Sequence, residues 1–259
     1  MLEILYAGAA EDSARRRSSV SLGTLEALVA TMAPAVDAIE ALKPRSRVHV
    51  LAEIKRSSPS KGALAPIEDA AALARIYERH GASAISVLTE ERKFKGSLDD
   101  LKNVRAAVDL PLLRKDFIST EYQLLEARAY GADIFLLIVA GLDVPALTRL
   151  KAFGESLGMT AFVETHSSDE LKIASDLGAK LIGVNARDLT TFETDRNLFS
   201  KLVSGFPPGA IKVAESAVRE VEDVVAYRQA GADVVLIGEA LVTGVPASRL
   251  DEFLNSLPI

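Results

Sequence analysis

The chain has 259 residues, with 36 acidic against 30 basic and a formal charge of −6. That length allows a sizeable core and falls in the range of one-domain α/β barrels, while the acidic balance supplies no general basic field for nucleic acid. The absence of cysteine excludes disulfides, thiolate metal sites and thiol nucleophiles, and His49, His80 and His166 are too scattered to suggest a metal cluster.

Residues 1–46 read as a helical extension. Residues 2–17 and 23–42 are predicted helical, with a break near Ser18 and Ser19 and an end at Pro44. Gly8 and Pro34 weaken the two interiors. Both pieces are too short for a core of their own, so they should pack on the rest of the chain, with Leu2, Leu5, Tyr6 and Ala9 as the buried stripe at helical spacing. The opening lacks the basic region of a signal peptide, and no apolar run reaches the length of a membrane span. A cytoplasmic protein with no membrane contact is expected.

From Val48 onward, strands and helices alternate. Strands are predicted over 48–52, 84–88, 112–114, 134–139, 160–163, 181–184, 210–214 and 234–237. Helices are predicted over 67–80, 97–108, 120–130, 143–157, 168–177, 196–204, 218–230 and 247–256. A Gly-Ala-X step precedes every second strand, at Gly81, Gly131, Gly178 and Gly231. Glycine ends a helix where a left-handed residue is needed, and the apolar runs after these steps look buried on both faces. The four glycines are spaced at roughly twice the ~25 residues of one βα unit. No dinucleotide-binding glycine fingerprint follows any strand, which argues against an open doubly wound sheet. The expected fold is a (β/α)8 TIM barrel with an N-terminal helical extension, one domain over 1–259.

In such a barrel the chemistry sits where the strands end. Strand one ends in Glu53-Ile-Lys55, whose two-residue spacing puts both charges on one side. Strand three ends in Arg114-Lys115-Asp116-Phe117, strand five in Glu164, strand six in Asn185 followed by Arg187, and strand seven in Glu215-Ser216. Lysine and glutamate are seldom buried unless paired. A structural salt-bridge layer explains one such residue; five strand ends together point to a functional mouth. The loop Arg56-Ser-Ser-Pro-Ser-Lys-Gly62 suits an anionic substrate. Ser216-Ala217, read as opening a helix, and Gly238-Glu239 after the last strand are the phosphate candidates. His49 lies inside strand one and His80 ends a helix; His166 follows strand five in a loop.

These segments resemble the indole-3-glycerol phosphate synthase family. The resemblance rests on Ala52-Glu-Ile-Lys-Arg-Ser-Ser-Pro-Ser-Lys-Gly62, Leu88-Thr-Glu90 with Phe94-Lys-Gly-Ser-Leu98, and Leu113-Arg-Lys-Asp-Phe-Ile118. It continues through Phe162-Val-Glu164, Ile182-Gly-Val-Asn-Ala-Arg-Asp-Leu189, Val213-Ala-Glu-Ser216 and Ile237-Gly-Glu-Ala-Leu241. It implies ring closure of 1-(2-carboxyphenylamino)-1-deoxyribulose 5-phosphate to indole-3-glycerol phosphate, with loss of carbon dioxide and water, in tryptophan biosynthesis. No cofactor or metal is implied. Lys115 matches the general acid and Lys55 a residue that engages the substrate carboxylate and assists proton transfer. Glu53 and Glu164 match carboxylates that stabilise the cationic intermediate. Asn185 and Glu215 match positioning groups, with Arg187 supporting the mouth. Ser58, Ser216, Ala217, Gly238 and Glu239 are expected to bind substrate, and Pro59 and Phe117 to cover its aromatic ring. A cation-rich pocket is expected to hold the substrate's two anionic ends and to ease proton loss from a lysine.

Two positions depart from the family pattern. Ala217 stands where members usually carry glycine; if φ is positive there, alanine costs about 1 kcal/mol or more and loosens phosphate binding, whereas at negative φ its N–H donates as glycine's would. Gly141 closes Leu137-Ile-Val-Ala-Gly141 where alanine is common, a change of small expected effect. The alternatives are a sugar-phosphate isomerase of the same barrel type and a non-catalytic phosphate-binding barrel. The expected partner is a small phosphorylated molecule, with the chain a monomer or weak homo-oligomer.

Overall fold

A computed structural model describes residues 1–188, 193–243 and 246–255. Leu189 of the Asn-Ala-Arg-Asp-Leu motif lies outside the described residues, as do the end of the helix expected over 247–256 and residues 256–259 of the expected 1–259 domain. The chain opens with α1 (Leu2–Ser19), α2 (Leu22–Thr31) and α3 (Ala38–Ala41). The break expected near Ser18 and Ser19 falls at Val20 and Ser21, because the ladder continues until Val20 N–H donates to Arg16 O at 2.8 Å. The helix expected over 23–42 is instead two helices. Pro34 has no N–H and disfavours helical backbone in the residue before it, so α2 ends at Thr31. Val36 N–H donates to Asp133 Oδ1 (2.8 Å) instead, and helix resumes after Asp37, whose side chain caps Ile39 and Glu40.

Eight parallel strands then close into a barrel: β1 (His49–Ile54), β2 (Ala84–Leu88), β3 (Leu112–Lys115), β4 (Ile134–Ile138), β5 (Thr160–Thr165), β6 (Leu181–Asn185), β7 (Ile211–Glu215) and β8 (Val234–Ile237). Each pairs with the next in the chain, and β8 returns to β1 with His49 opposite Val234. Outside lie α4 (Ala70–Arg79), α5 (Leu98–Arg105), α6 (Glu121–Ala129), α7 (Val144–Ser156), α8 (Ser168–Asp176), α9 (Leu198–Leu202), α10 (Val221–Gln229), α11 (Glu239–Val242) and α12 (Pro246–Asn255). Short polar residues start several of them: the side chains of Asp69, Ser97, Thr120, Asp143 and Ser167 each accept a first-turn N–H, satisfying donors that the helix itself leaves open.

Strand alternation sorts the core into two layers. Val50, Ala52, Val87, Phe135 and Val163 pack between sheet and helices. Leu51, Leu113, Leu136, Phe162, Val213 and Leu236 fill the barrel interior. Leu2, Leu5, Ala9, Ala38 and Leu42 of the extension join this inner cluster. The extension is also tied in by buried charge: Arg16 donates to both oxygens of Glu126 (2.6 and 2.9 Å). Glu126 lies 3.4 Å from Arg114, which is fully buried and donates to Asp116 at 2.8 Å.

Candidate active site

The inward layer decides which charges meet. Counting in twos from Leu51, Leu113, Phe162, Leu181 and Val213 reaches Glu53 and Lys55, Lys115, Glu164, Asn185 and Glu215. All of these line one cavity of about 260 Å³ at the C-terminal end of the barrel. Arg114 falls on the opposite parity, so it faces the helices and is part of the wall rather than the mouth. Lys55 Nζ lies 2.7 Å from Glu53 Oε2. Lys115 Nζ lies 2.6 Å from Glu215 Oε2 and 3.1 Å from Glu164 Oε2. Asn185 Nδ2 donates to Glu164 Oε1 (3.0 Å), while its Oδ1 accepts from Ser216 Oγ (2.8 Å) and from the Arg187 N–H (3.0 Å).

Two glycines make room for these acids. A Cβ added at Gly183 would collide with Glu215 Oε1, and one at Gly238 with Glu53 Oε2. Gly238, expected only as a substrate contact, therefore also houses a carboxylate.

The expectation that lysines here are pressed among cations is overturned, because the groups facing Lys115 are acids from β1, β5 and β7. Burial favours the neutral amine, but Glu164, Glu215 and Glu53 outweigh it and the Lys115 pKa rises. Burial pushes Glu164 upward, yet Lys115, His166 and Asn185 hold it well below the usual carboxylate range. Glu215 goes the other way: burial and the Glu164 charge lift it to about 8 against the pull of Lys115. The two acids are thus pushed in opposite directions, Glu164 toward the anion and Glu215 toward the protonated form.

One side of the cavity is apolar. Phe117, buried after β3, meets Tyr6 of α1 edge-on (centroids 5.6 Å, 74°) and Phe94 at 6.1 Å. Leu5, Leu136 and Ile138 line the same cavity. Glu90 shapes the loop that presents Phe94, accepting the N–H groups of Lys93 (2.7 Å) and Phe94 (2.8 Å). Gly141 matters more than expected, since a Cβ there would strike the Tyr6 ring. Leu5, Phe94, Leu136 and Ile138 are absent from the sequence-derived site; inward parity could have found the last two and the α1 stripe the first.

The other side is loop and backbone. Ser58 and Pro59 line the cavity from a short antiparallel ribbon that pairs Ser57 with Ala63 and Ser58 with Gly62. The next lysine, Lys61, is ion-paired to Glu239. Ser216 and Ala217 do not open a helix: α10 starts at Val221, and both residues are left-handed, with φ of 66° and 63°. Ala217 therefore occupies a conformation that suits glycine. Ser216, Ala217, Gly238, Glu239 and Arg187 all line the cavity, and so do Arg196 and Arg219, which no sequence pattern had marked.

A family model for indole-3-glycerol phosphate synthase matches residues 2–250. The chain belongs to the indole-3-glycerol phosphate synthase family. Members are carboxy-lyases of tryptophan biosynthesis. A relative from Leifsonia xyli subsp. xyli, an indole-3-glycerol phosphate synthase, is 59% identical over 253 residues, covering 98% of this chain and 97% of its own. Indole-3-glycerol phosphate synthase 1 of Streptomyces coelicolor is 54% identical, covering 94% and 90%. Among solved structures, 3-hexulose-6-phosphate synthase from Salmonella typhimurium superimposes with a TM-score of 0.64 at 14% identity, covering 81% of this chain and 98% of its own. That likeness is one of fold. Among the described residues no helix is long and apolar enough to cross a membrane.

Proposed function

We propose that this cavity carries the family's ring closure, with Lys115 as the general acid. The observation that carries the assignment is the position of Lys115 Nζ, within 3.1 Å of both Glu164 and Glu215. It sits in a cavity with an apolar wall suited to an aromatic ring and a loop-lined, arginine-bearing end suited to phosphate. The ring carbon bearing the carboxylate attacks the substrate ketone carbon, and Lys115 delivers a proton to the ketone oxygen as the C–C bond forms. Loss of carbon dioxide returns its bonding electrons to the ring, and loss of water completes the indole. A charged ammonium fixed by acids needs little reorganisation to meet the developing negative oxygen. The anionic Glu164 faces the positive charge that builds on the anilino nitrogen.

Lys55, paired with Glu53, is assigned to the substrate carboxylate and to proton transfer. Glu215 and Asn185 hold Lys115 and Glu164 in register. Phe117 and Pro59 cover the ring. The phosphate is assigned to the N–H groups around Ser216, Ala217 and Gly238, with Ser58 and Arg187 at the rim and Glu239 held aside by Lys61. The partner on this assignment is a small phosphorylated molecule, with the chain a monomer or weak homo-oligomer, and the place of action is the cytoplasm. The test is indole fluorescence on adding the anilino-deoxyribulose phosphate. A fluorescent product that scales with enzyme is expected; no product at high enzyme concentration overturns the assignment.

A further inference from the structure

Glu164 is held from behind as well as from the front. His166, just beyond β5, points Nε2 at Glu164 Oε1 (3.4 Å) and Nδ1 at Glu170 Oε2 (3.2 Å). Glu170, in the first turn of α8, also accepts the His166 backbone N–H at 2.7 Å. The ring is largely buried, its side chain 12% exposed, and Nε2 is shut off from solvent with no aligned hydrogen-bond partner among the described residues. A neutral imidazole carries one N–H and one lone pair, so it would turn a lone pair toward one of these carboxylates. Only the doubly protonated ring suits both.

We propose that His166 is a positioning residue for the ring closure: an imidazolium clamped by Glu170 that holds the Glu164 carboxylate in place as an anion facing Lys115. The proposal rests on the function assigned above. The charged groups bearing on the ring come from several elements: Glu164 on β5 and Glu170 on α8 directly, with Lys115 on β3 and Glu215 on β7 across Glu164. Burial favours the neutral ring, but the two adjacent carboxylates prevail and lift its pKa to about 10. The arrangement parallels the outer partners that orient metal-ligating side chains in metalloproteins, whose removal costs about 10- to 100-fold.

Three variants of the full chain test it. His166→Leu removes charge and hydrogen bonding, His166→Gln keeps an amide N–H without the charge, and Glu170→Gln removes the clamp alone. In both His166 variants kcat should fall about 10-fold or more with KM changed less than about threefold. The acid limb of the kcat profile should move toward higher pH, since Glu164 protonates more readily without a cation beside it. Glu170→Gln should shift both in the same direction by less. Unchanged kcat and an unmoved acid limb in His166→Gln overturn the proposal. A second readout needs no turnover. With only three histidines in the chain, NMR of the ring carbons can follow His166 directly, and it should stay charged through pH 8. A ring that is neutral at pH 7 removes the clamp whatever the activity. Absence of indole from the unmodified chain would overturn the assigned reaction instead, leaving the NMR result to judge the clamp.

Discussion

The cavity has two unlike sides. Toward β3, β5 and β7, buried acids surround one lysine, and each side chain is fixed by ion pairs or hydrogen bonds of 2.6–3.1 Å. Toward the loops after β7 and β8, the wall is formed by Ser216, Ala217 and Gly238 together with Arg196 and Arg219, and the carboxylate there, Glu239, is tied to Lys61. The first side is specified by charge in a buried setting, where an interaction is strong and its loss is costly. The second combines left-handed backbone at Ser216 and Ala217 with loop arginines, so its failures should appear in binding and stability more than in the chemical step.

The sharpest way to break that contrast is Lys115→Ala. General acid catalysis is worth about 10²- to 10⁴-fold, so kcat should drop by about 10³ while substrate binding, followed by fluorescence titration, stays within a few-fold. Near-normal turnover would remove Lys115 from the role of acid. Lys55→Ala should act less strongly. A hydrogen bond to a charged group contributes about 1.5–3 kcal/mol, which predicts a 10- to 100-fold fall in kcat/KM. A kcat/KM unchanged in steady-state assays would separate Lys55 from the substrate carboxylate.

Glu215 gives a pH-dependent test. Its pKa is raised in the folded chain to about 8, so the native state binds the extra proton between the ordinary carboxylate range and about pH 8. Its contribution to stability is therefore complete at low pH and is lost as pH rises through that window. Glu215→Gln, which cannot ionise, should gain stability relative to the parent from pH 5 to pH 8 in urea unfolding. A constant difference across that range would show that Glu215 is ionised throughout. The smallest effect belongs to the backbone side. Ala217→Gly should leave turnover intact, tighten phosphate binding or barely alter it, and stabilise by about 1 kcal/mol by removing the left-handed strain. Clear loss of phosphate affinity would show that alanine is no compromise there.

The barrel and its charged side were largely legible because strand alternation acts on residue letters. Glu53, Lys115, Glu164 and Glu215 are the next inward positions beyond apolar ones, Lys55 follows Glu53 and Asn185 follows Gly183 at the same spacing, and the cavity unites all six. The same parity excludes Arg114, which a count of charges at strand ends had included. The surroundings of Lys115 were not legible, because its acids come from strands distant in the chain. Nor was the left-handed backbone at Ser216 and Ala217, since serine and alanine give no sign of φ. Phe94 reaches the site through a loop folded around Glu90, and Tyr6 through the packing of α1. No strand period encodes either. In the extension, Pro34 divided what helical spacing had joined.

Gly183 and Gly238 make the site depend on atoms that are not there. Each leaves a space into which a carboxylate from another strand fits, Glu215 beside the first and Glu53 beside the second. A single added methyl at either position would press on an acid without replacing any ionisable group. Each glycine therefore sets the space its acid can occupy. A change at the glycine would disturb the acid's geometry while every charge remains in the sequence. A survey of substitutions that watched only charged residues would miss both positions.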